Sequence, residues 1–437
     1  MNTRSSKLES FIFADLIVTA ILAVLAYGTV EPWSLALFEL NALLIGVLLA
    51  VRFTFDPHAE WGQWRIALPF VAWLIFSAVQ FISPLSLDRQ ATKESTVKLL
   101  ALVIYFIAAL VTLRSSERRK KLLVTLTIFG FAVSLFAILQ RLSSNNKMYW
   151  VRPVSPYVAF YGPYGNYNHF AGMIELILPL PFAYLLLARI SLEQRMLGFL
   201  SIVIMVVAVV LSVSRGGMLS VSIEILALVL ITVLISKQSN RRAQQAGADN
   251  KLMIAGLLVA IVLLALWVGY EPLANRFNSL REGRSEYSVV TRTEYWRGAW
   301  RMFLDHPLTG VGLGAFPTAY PAYGRSSVMN ERLEQSHNDY LQLLTDAGLI
   351  GAALGLWFLF ELIRVLRRQL RHFHQAHSLD RALVVGSYVA MLGIGIHSFL
   401  DFNLQIAANA LLFLLVVALA ASVNFVSGSD ERFGQNP

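Results

Sequence analysis

Long apolar segments recur along the whole chain, and each has about the length of a helix that crosses a bilayer. A crossing needs about 20 predominantly apolar residues. The apolar runs lie at 11–30, 34–51, 66–83, 97–113, 121–140, 168–188, 196–213, 217–235, 252–269, 344–363, 382–400 and 404–426. Hydrophobic residues make up 56% and charged residues 14% of the sequence, whereas soluble domains carry about 25% charge. The sequence therefore predicts an all-α polytopic membrane protein, a single membrane domain over residues 1–437 with about 12 transmembrane helices.

The first apolar run, 11–30, is longer than the core of an ordinary signal peptide, and no convincing small-residue cleavage site follows it. We therefore expect a first membrane helix and no removable leader. The chain has no cysteine, so neither disulfides nor thiolate metal sites contribute, and the redox compartment stays open.

Basic residues are concentrated in alternate connections between the apolar runs. With the N-terminus inside, the inside segments hold most lysines and arginines, among them Arg114, Arg118, Arg119, Lys120, Lys121, Arg364, Arg367, Arg368 and Arg371. This positive-inside bias, with twelve spans, predicts that both termini are cytoplasmic. The net charge of +9 is thus mainly a topology signal, and it does not indicate a nucleic-acid partner.

One long outside segment, 270–336, departs from this charge pattern because it is rich in basic residues. Long loops cross the membrane largely regardless of charge, so an anionic ligand outside the cytoplasm would explain these arginines better. Within the segment, aromatic and basic residues share one helical pattern at Trp296, Arg297, Trp300, Arg301 and Phe303. The pattern predicts a short amphipathic helix that either lies in the headgroup region or packs on top of the bundle. The turn-rich residues 307–314 would end it.

Arg215 interrupts about 40 otherwise apolar residues, in the sequence Ser-Arg-Gly-Gly, at a membrane depth where arginine is costly and usually functional. The topology puts it at the outer tip of a tight helical hairpin. Its guanidinium suits bidentate contact with phosphate, and the following glycines let a headgroup approach the backbone. The alternative is an arginine that snorkels at a helix end.

Two histidines lie where outside segments re-enter the membrane. His337 stands in Gln-Ser-His-Asn-Asp-Tyr, and His169 follows Asn166-Tyr-Asn. Histidine exchanges a proton near neutral pH, and general-base help is worth roughly 10²–10⁴ in rate. A structural role is the alternative for either residue. The polar neighbours of His337 make it the stronger candidate.

Ionisable residues also lie inside or at the ends of the predicted spans: Asp15, Glu39, Glu175, Glu224, His397 and Asp401. Such residues can mark an ion path, so a transporter is one alternative. The spans lack paired Gly- or Pro-broken helices at matching positions in two halves, a feature that many transporters have. We therefore interpret these residues as interior polar contacts or helix ends.

The sequence holds no convincing metal set and no nucleotide-binding fingerprint. His372, His374 and His377 lie close together, but in the most basic inside loop, so we interpret them as solvated. The absence of a P-loop or dinucleotide motif argues against ATP-driven work.

Three motifs together resemble the bacterial O-antigen ligase superfamily, which includes O-antigen and exopolysaccharide polymerases and protein O-oligosaccharyltransferases. They are GPYGNYNHFAG at 162–172, SRGG at 214–217, and a long pattern that runs from Arg292 and Trp296 through HPLTGVGLG at 306–314 and SHNDY at 336–340 to LTDAGLIG at 344–351. The resemblance is clearest from about 160 to 365. The flanking helices match only in topology.

The resemblance implies a GT-C-like membrane glycosyltransferase in the bacterial inner membrane, with a periplasmic active site. The donor would be a glycan on undecaprenyl pyrophosphate, and the acceptor would be lipid A–core or another glycan, among membrane lipids. No cofactor and no metal is expected.

Carried over by motif, Arg215 and Arg292 would bind the pyrophosphate, and His337 would deprotonate the acceptor hydroxyl. Arg284, Arg297 and Arg301 compete with Arg292 for its role. The possible supporting residues are Asn166, His169, Arg297, Asn338, Asp339 and Tyr340.

Within this superfamily the simplest prediction is an O-antigen ligase that transfers the glycan with inversion. A polymerase or a protein O-oligosaccharyltransferase uses the same motifs and remains open; the short C-terminal tail, without appended helical repeats, favours the ligase only slightly. A polysaccharide flippase or secondary transporter is the alternative from another class. A transporter should depend on Glu224 and tolerate loss of His337, and an enzyme should show the reverse.

Overall fold

The part of the chain that the structure describes is a helical bundle with one small hairpin. The structure is a computed structural model, and it describes residues 3–56, 63–143, 146–154, 159–237, 284–324 and 333–423. The helices are α1 (Thr3–Leu25), α2 (Pro32–Phe55), α3 (Leu68–Ile82), α4 (Arg89–Thr112), α5 (Ser116–Leu142), α6 (Tyr167–Ile177), α7 (Pro179–Leu187), α8 (Leu192–Ser212), α9 (Arg215–Lys237), α10 (Arg284–Asp305), α11 (Phe316–Ala319), α12 (Asp339–His372), α13 (Ser378–His397) and α14 (Ala407–Ala421). Strands β1 (Lys147–Met148) and β2 (Arg152–Pro153) pair antiparallel.

Ten helical segments of the described residues are long and apolar enough to cross a membrane. Their outward faces carry large aliphatic side chains; on α2, for example, Leu37, Leu40 and Val47 are about 60% exposed. Such apolar helix faces suit lipid chains, which replace water as the solvent of the bundle. The chain is thus an all-α polytopic membrane protein, as the sequence predicts.

The count of about twelve spans stays a prediction. The predicted span 404–426 contains α14, whose 15 residues make it shorter than the ten spanning segments. The predicted span 252–269 lies outside the described residues, as do 270–283 and 325–332 of the predicted long loop.

Buried ion pairs join helix ends at one end of the bundle. Glu9 of α1 contacts Arg52 of α2 at 2.6 Å and Arg118 of α5 at 2.9 Å. Arg119 of α5 contacts Asp380 at the start of α13 at 2.8 Å. These arginines come from segments that the charge bias assigns to the inside, so the predicted inside ends do lie together. We call this the basic end of the bundle.

At the other end, α12 is broken at Gly348, although the apolar run 344–363 predicts a continuous helix. Gly348 adopts φ 61° and ψ −152°, a region open essentially to glycine alone. The backbone groups that the break frees bond to the loop after α10: Leu349 N–H donates to the Pro307 carbonyl at 2.8 Å, and Val311 N–H donates to the Thr345 carbonyl at 2.8 Å. The broken helix therefore holds this loop in place.

A side chain from α3 secures the same loop. The amide of the fully buried Gln80 donates to the carbonyls of Thr309 and Asp346 at 2.7 and 2.8 Å, and its oxygen accepts from Leu313 N–H at 3.2 Å. Because a buried backbone group without a partner is costly, these bonds fix the loop against the bundle.

The amphipathic pattern at 293–304 does form a helix, within α10, and α10 ends at Asp305, ahead of the predicted turn. Its buried Ala299 and Met302 pack with Val311, Phe316 and other residues of the same outside segment. This face of α10 therefore packs against the rest of the outside segment and against Leu341 of α12, while Trp300 on another face is 49% exposed.

Candidate active site

A single carboxylate, Asp401, lies at the meeting point of the three sequence motifs. It follows α13 at the end of the bundle opposite the basic end, and its side chain is only 1% exposed. Its Oδ1 accepts from Phe402 N–H at 2.9 Å, and its Oδ2 accepts from the Asn168 amide. Three cationic or ionisable groups approach it: His169 of α6, Arg292 of α10 and His337, which precedes α12.

Arg292 and His337 contact Asp401 from the side that is nearer to solvent. The Arg292 Nη2 atom lies 3.5 Å from Oδ2, and His337 Nδ1 lies 3.4 Å from Oδ1. The arginine side chain is 32% exposed and the histidine side chain 25%. The buried carboxylate thus faces two groups that a substrate can reach.

The backbone and neighbouring rings fix the orientation of His337. Its φ of +53° is uncommon for a residue other than glycine, and such strain is often found at functional sites. Its ring stacks on Tyr295 at 6.3 Å between centroids and meets Phe402 edge-on at 4.8 Å. The imidazole is therefore held between α10 and the loop after α13.

The residues after His337 anchor the start of α12. The Asn338 side chain accepts from the Tyr340 and Leu341 N–H groups at 3.0 Å, a regular N-cap. Asp339 accepts from the Ser398 hydroxyl at 2.9 Å, and the Tyr340 hydroxyl donates to the Gly395 carbonyl at 2.7 Å. These three predicted supporting residues therefore tie His337 to the end of α13.

Asn168 connects Asp401 to the turn that carries Arg215. The Ser214 hydroxyl donates to the Asn168 amide oxygen at 2.7 Å, and the same Ser214 oxygen accepts from Gly217 N–H at 3.1 Å. Arg215 begins α9 directly after Ser214, and it is partly buried. The chain of bonds sets Arg215 at the same end of the bundle as Arg292 and His337.

Glycine is required beside Arg215 for a packing reason. A Cβ on Gly216 would lie 2.6 Å from the His397 ring, and one on Gly217 would lie 2.4 Å from the Ala171 side chain. His397 in turn contacts Glu175 at 2.8 Å, and both are fully buried. The SRGG turn is therefore pressed onto α6 and α13 below Asp401.

His169 and Asn166 take different positions in this arrangement. His169 Nε2 lies 4.0 Å from Asp401 Oδ1, and within the described part of the chain it has no hydrogen-bond partner. Its ring packs edge-on against Phe402. Asn166 caps α6 by accepting from Asn168 N–H at 2.8 Å, so it shapes the turn and does not contact Asp401.

Arg297 lies on another side of α10 from Arg292. Five residues separate the two, which is about 140° around a helix of 3.6 residues per turn. Arg297 pairs with Glu294 of the same helix at 2.5 Å. It also lines a surface groove with Trp296 and Trp300, so the structure does not bring it to Asp401. The side chain of Arg284 lies outside the described residues.

The environment of Asp401 keeps its carboxylate ionised. Burial opposes the charge, but the adjacent His337, followed by the charges of His169 and His397, outweighs burial and holds the pKa of Asp401 well below its usual range. The site therefore contains a negative charge beside the histidine and Arg292 at neutral pH.

The sequence does not single out Asp401, which it predicts only as an interior contact or helix end. One signal was present: an ionisable residue at membrane depth, four residues after His397, in a stretch with Ser398 and Asn403. Its partners are distant in sequence, so only the packing of the loop after α13 onto α6 reveals them. A Cβ on Gly172 of α6 would lie 2.4 Å from Asn403, which measures how closely that loop approaches.

Among the described residues, no group of three or more histidine, cysteine or acidic side chains has a geometry that could hold a metal ion. Below the site, Glu224 is fully buried, and neither of its carboxylate oxygens has a hydrogen-bond partner in the described residues.

The fold and this site define a polytopic membrane protein with a cluster of histidine, arginine and aspartate at one end of its helix bundle. Residues 200–356 match the family model described as O-antigen ligase. The resemblance to the O-antigen ligase superfamily is therefore confirmed over the segment that holds Arg215, Arg292 and His337. That superfamily consists of membrane enzymes. Asn168 and Asp401 lie outside the matched segment. No individual curated protein matches the chain.

Proposed function

We propose that this protein is an inverting, metal-independent glycosyltransferase with a GT-C-like architecture. It moves a glycan from undecaprenyl pyrophosphate to an acceptor hydroxyl on the periplasmic face of the bacterial inner membrane. The simplest form of this activity is that of an O-antigen ligase, which attaches O-antigen to lipid A–core in lipopolysaccharide biosynthesis. The observation that carries the proposal is the contact of Asp401 with both His337 and Arg292 within a family-matched membrane bundle.

In this mechanism His337 is the general base. Asp401 faces Nδ1 of His337 and favours the tautomer with the proton on that nitrogen, which leaves Nε2 to accept the proton of the acceptor hydroxyl. The oxygen then attacks the anomeric carbon as the bond from that carbon to the pyrophosphate breaks. The electron pair leaves with the pyrophosphate, and the configuration inverts. The 3.4 Å separation is typical of a catalytic pair before substrate tightens it.

Arg292 and Arg215 stabilise the leaving pyrophosphate. A charge-assisted hydrogen bond is about 2.7–2.9 Å long, so Arg292, at 3.5 Å from Asp401, retains capacity for a second anion. Arg215 stands at the first turn of α9, where the helix dipole also favours negative charge. Two guanidinium groups aimed at developing charge can do the work that a metal does in other phosphate chemistry.

The two ends of the bundle support the proposed orientation. The basic end, with Arg52, Arg118 and Arg119, fits the cytoplasmic face; both termini would then be inside, and Asp401 would face the periplasm. A periplasmic site suits a donor that remains in the membrane, because no nucleotide sugar is available there.

A polymerase or a protein O-oligosaccharyltransferase would use the same base and arginines with a different acceptor. Deletion of the gene followed by lipopolysaccharide analysis separates these functions. Loss of a ligase leaves long polymer on its lipid carrier and a bare core, whereas loss of a polymerase leaves core capped with a single repeat unit. Unchanged lipopolysaccharide and unchanged glycoproteins would contradict all three, and loss of carrier-linked glycan from the periplasm would indicate a flippase.

A further inference from the structure

A groove adjoins the part of α10 that carries Arg292. It has a volume of about 620 Å³, and it lies between α10 and the start of α12. Its floor and walls include Trp296, Trp300, Arg301, Asn338 and Tyr340. Because Asn338 directly follows His337, the groove leads to the proposed general base.

Adjacent faces of α10 contact the site and the groove. Arg292 and Tyr295 turn toward His337 and Asp401, whereas Trp296 and Trp300, four residues apart, form a stripe along the groove. Leu304 continues this stripe by another turn and is 56% exposed. The stripe thus runs from the site outward with apolar and aromatic side chains.

The groove is also positively charged. Its lining contains two arginines and no carboxylate. Arg297 is already paired with Glu294, while Arg301 is exposed and forms no salt bridge within the described residues. Flat indole faces suit the apolar faces of sugar rings, and an arginine suits phosphate.

We propose that this groove binds the acceptor, a glycolipid that carries phosphate on its sugars. The sugars stack on Trp296 and Trp300, a phosphate contacts Arg301, and the lipid part continues along Leu304. This rests on the proposed function, in which the pyrophosphate occupies the Arg215 and Arg292 side. An acceptor held in the groove would lie beside Asn338, directly after the general base His337.

The test uses purified full-length protein, carrier-linked glycan as donor, and lipid A–core as acceptor, native or dephosphorylated. We expect Trp300→Ala to raise the KM for acceptor about tenfold, as for loss of an aromatic anchor, without a change in the KM for donor. Arg301→Ala should raise the KM for native acceptor but not for the dephosphorylated form, and Arg301→Lys should restore part of the loss. Trp64→Ala is the matched control, because Trp64 is similarly exposed at 47% and lies beside α3, away from the groove.

An unchanged KM for acceptor in Trp300→Ala and Arg301→Ala, with normal transfer by the wild type, would overturn the groove proposal and leave the proposed function intact. A change in the KM for donor alone would assign the groove to the donor glycan, and it would equally overturn the proposal that the groove binds the acceptor.

A binding assay compares the same variants without a donor: the affinity of fluorescent lipid A–core is measured for the detergent-solubilised wild type, Trp300→Ala, Arg301→Ala and Trp64→Ala. This assay tests the groove even if the wild type transfers no glycan. Equal competition by phosphatidylglycerol vesicles would show a general membrane contact and contradict the assignment.

Discussion

The Nδ1 atom of His337 lies 3.4 Å from Oδ1 of Asp401, and this contact joins the residues before α12 to the loop after α13. Asp401 is buried at 1% exposure, while His337 is 25% exposed. A buried, ionised carboxylate behind a partly exposed imidazole orients the ring toward the substrate side. The pair therefore has the geometry of an oriented general base.

Replacement of His337 by alanine should lower glycan transfer by at least about 100-fold, because general-base help is worth roughly 10²–10⁴. The measurement is transfer from carrier-linked glycan by the purified protein, with thermal unfolding to verify the fold. His372→Ala, at the last residue of α12 near the basic end, should transfer normally. Transfer by His337→Ala at the wild-type rate would remove His337 from the mechanism.

Asp401→Asn should lower the thermal stability of the protein at neutral pH, because it leaves His337 and Arg292 beside a neutral amide. The pKa of Asp401 is depressed in the folded state, so its contribution to stability is present above the unfolded value, about 3.9, and is lost as the pH falls through the lower folded value. The difference in Tm between wild type and variant should therefore stay constant from pH 8 to about pH 5 and shrink only below about pH 4.

That measurement needs a variant control, because other groups titrate over the same range. Asp56→Asn is this control, because it makes the same chemical change at the C-cap of α2, away from the site. A Tm difference for Asp401→Asn that already disappears between pH 7 and pH 5 would contradict the ionised state of Asp401.

Arg215→Ala should lower kcat/KM for the donor by about 100-fold, in the range for loss of one group that stabilises developing charge. Arg215→Lys should retain part of the activity, because lysine keeps the charge but loses the planar fork. Arg89→Ala, an exposed arginine at the start of α4, is the control. Equal donor use by wild type and both Arg215 variants would exclude a phosphate role.

Chelators should not inhibit transfer if the two arginines neutralise the pyrophosphate. The measurement compares initial rates of the purified protein with and without EDTA, followed by addition of Mg²⁺ or Mn²⁺. Loss of activity with EDTA that a divalent ion restores would count against the two-arginine mechanism.

The sequence predicts the spans well because lipid-facing helices must be apolar along their whole length, as for 34–51 and α2. It also predicts Arg292 and His337, because their motifs are local. It cannot predict Asp401 as their common partner, since that contact depends on how the loop after α13 folds over α6, with Gly172 allowing Asn403 to approach. Nor does the apolar run 344–363 reveal the break at Gly348, because Leu349 N–H is satisfied by a carbonyl far away in sequence, that of Pro307.

The break at Gly348 makes a final prediction about how α12 supports the site. Alanine at this position would need φ near +61°, and its Cβ would lie 2.5 Å from the Leu308 backbone. We expect Gly348→Ala to destabilise the protein by about 1–3 kcal/mol or more, seen as a lower Tm in detergent, with a loss of transfer because the loop after α10 shifts.

Gly355→Ala is the matched control on the same helix: its Cβ would meet only Leu343, at 3.5 Å, and alanine favours a helix over glycine by about 1 kcal/mol. Its Tm should stay equal or rise. Equal behaviour of the two variants would mean that α12 can straighten at Gly348 without cost, and the loop would then need another anchor.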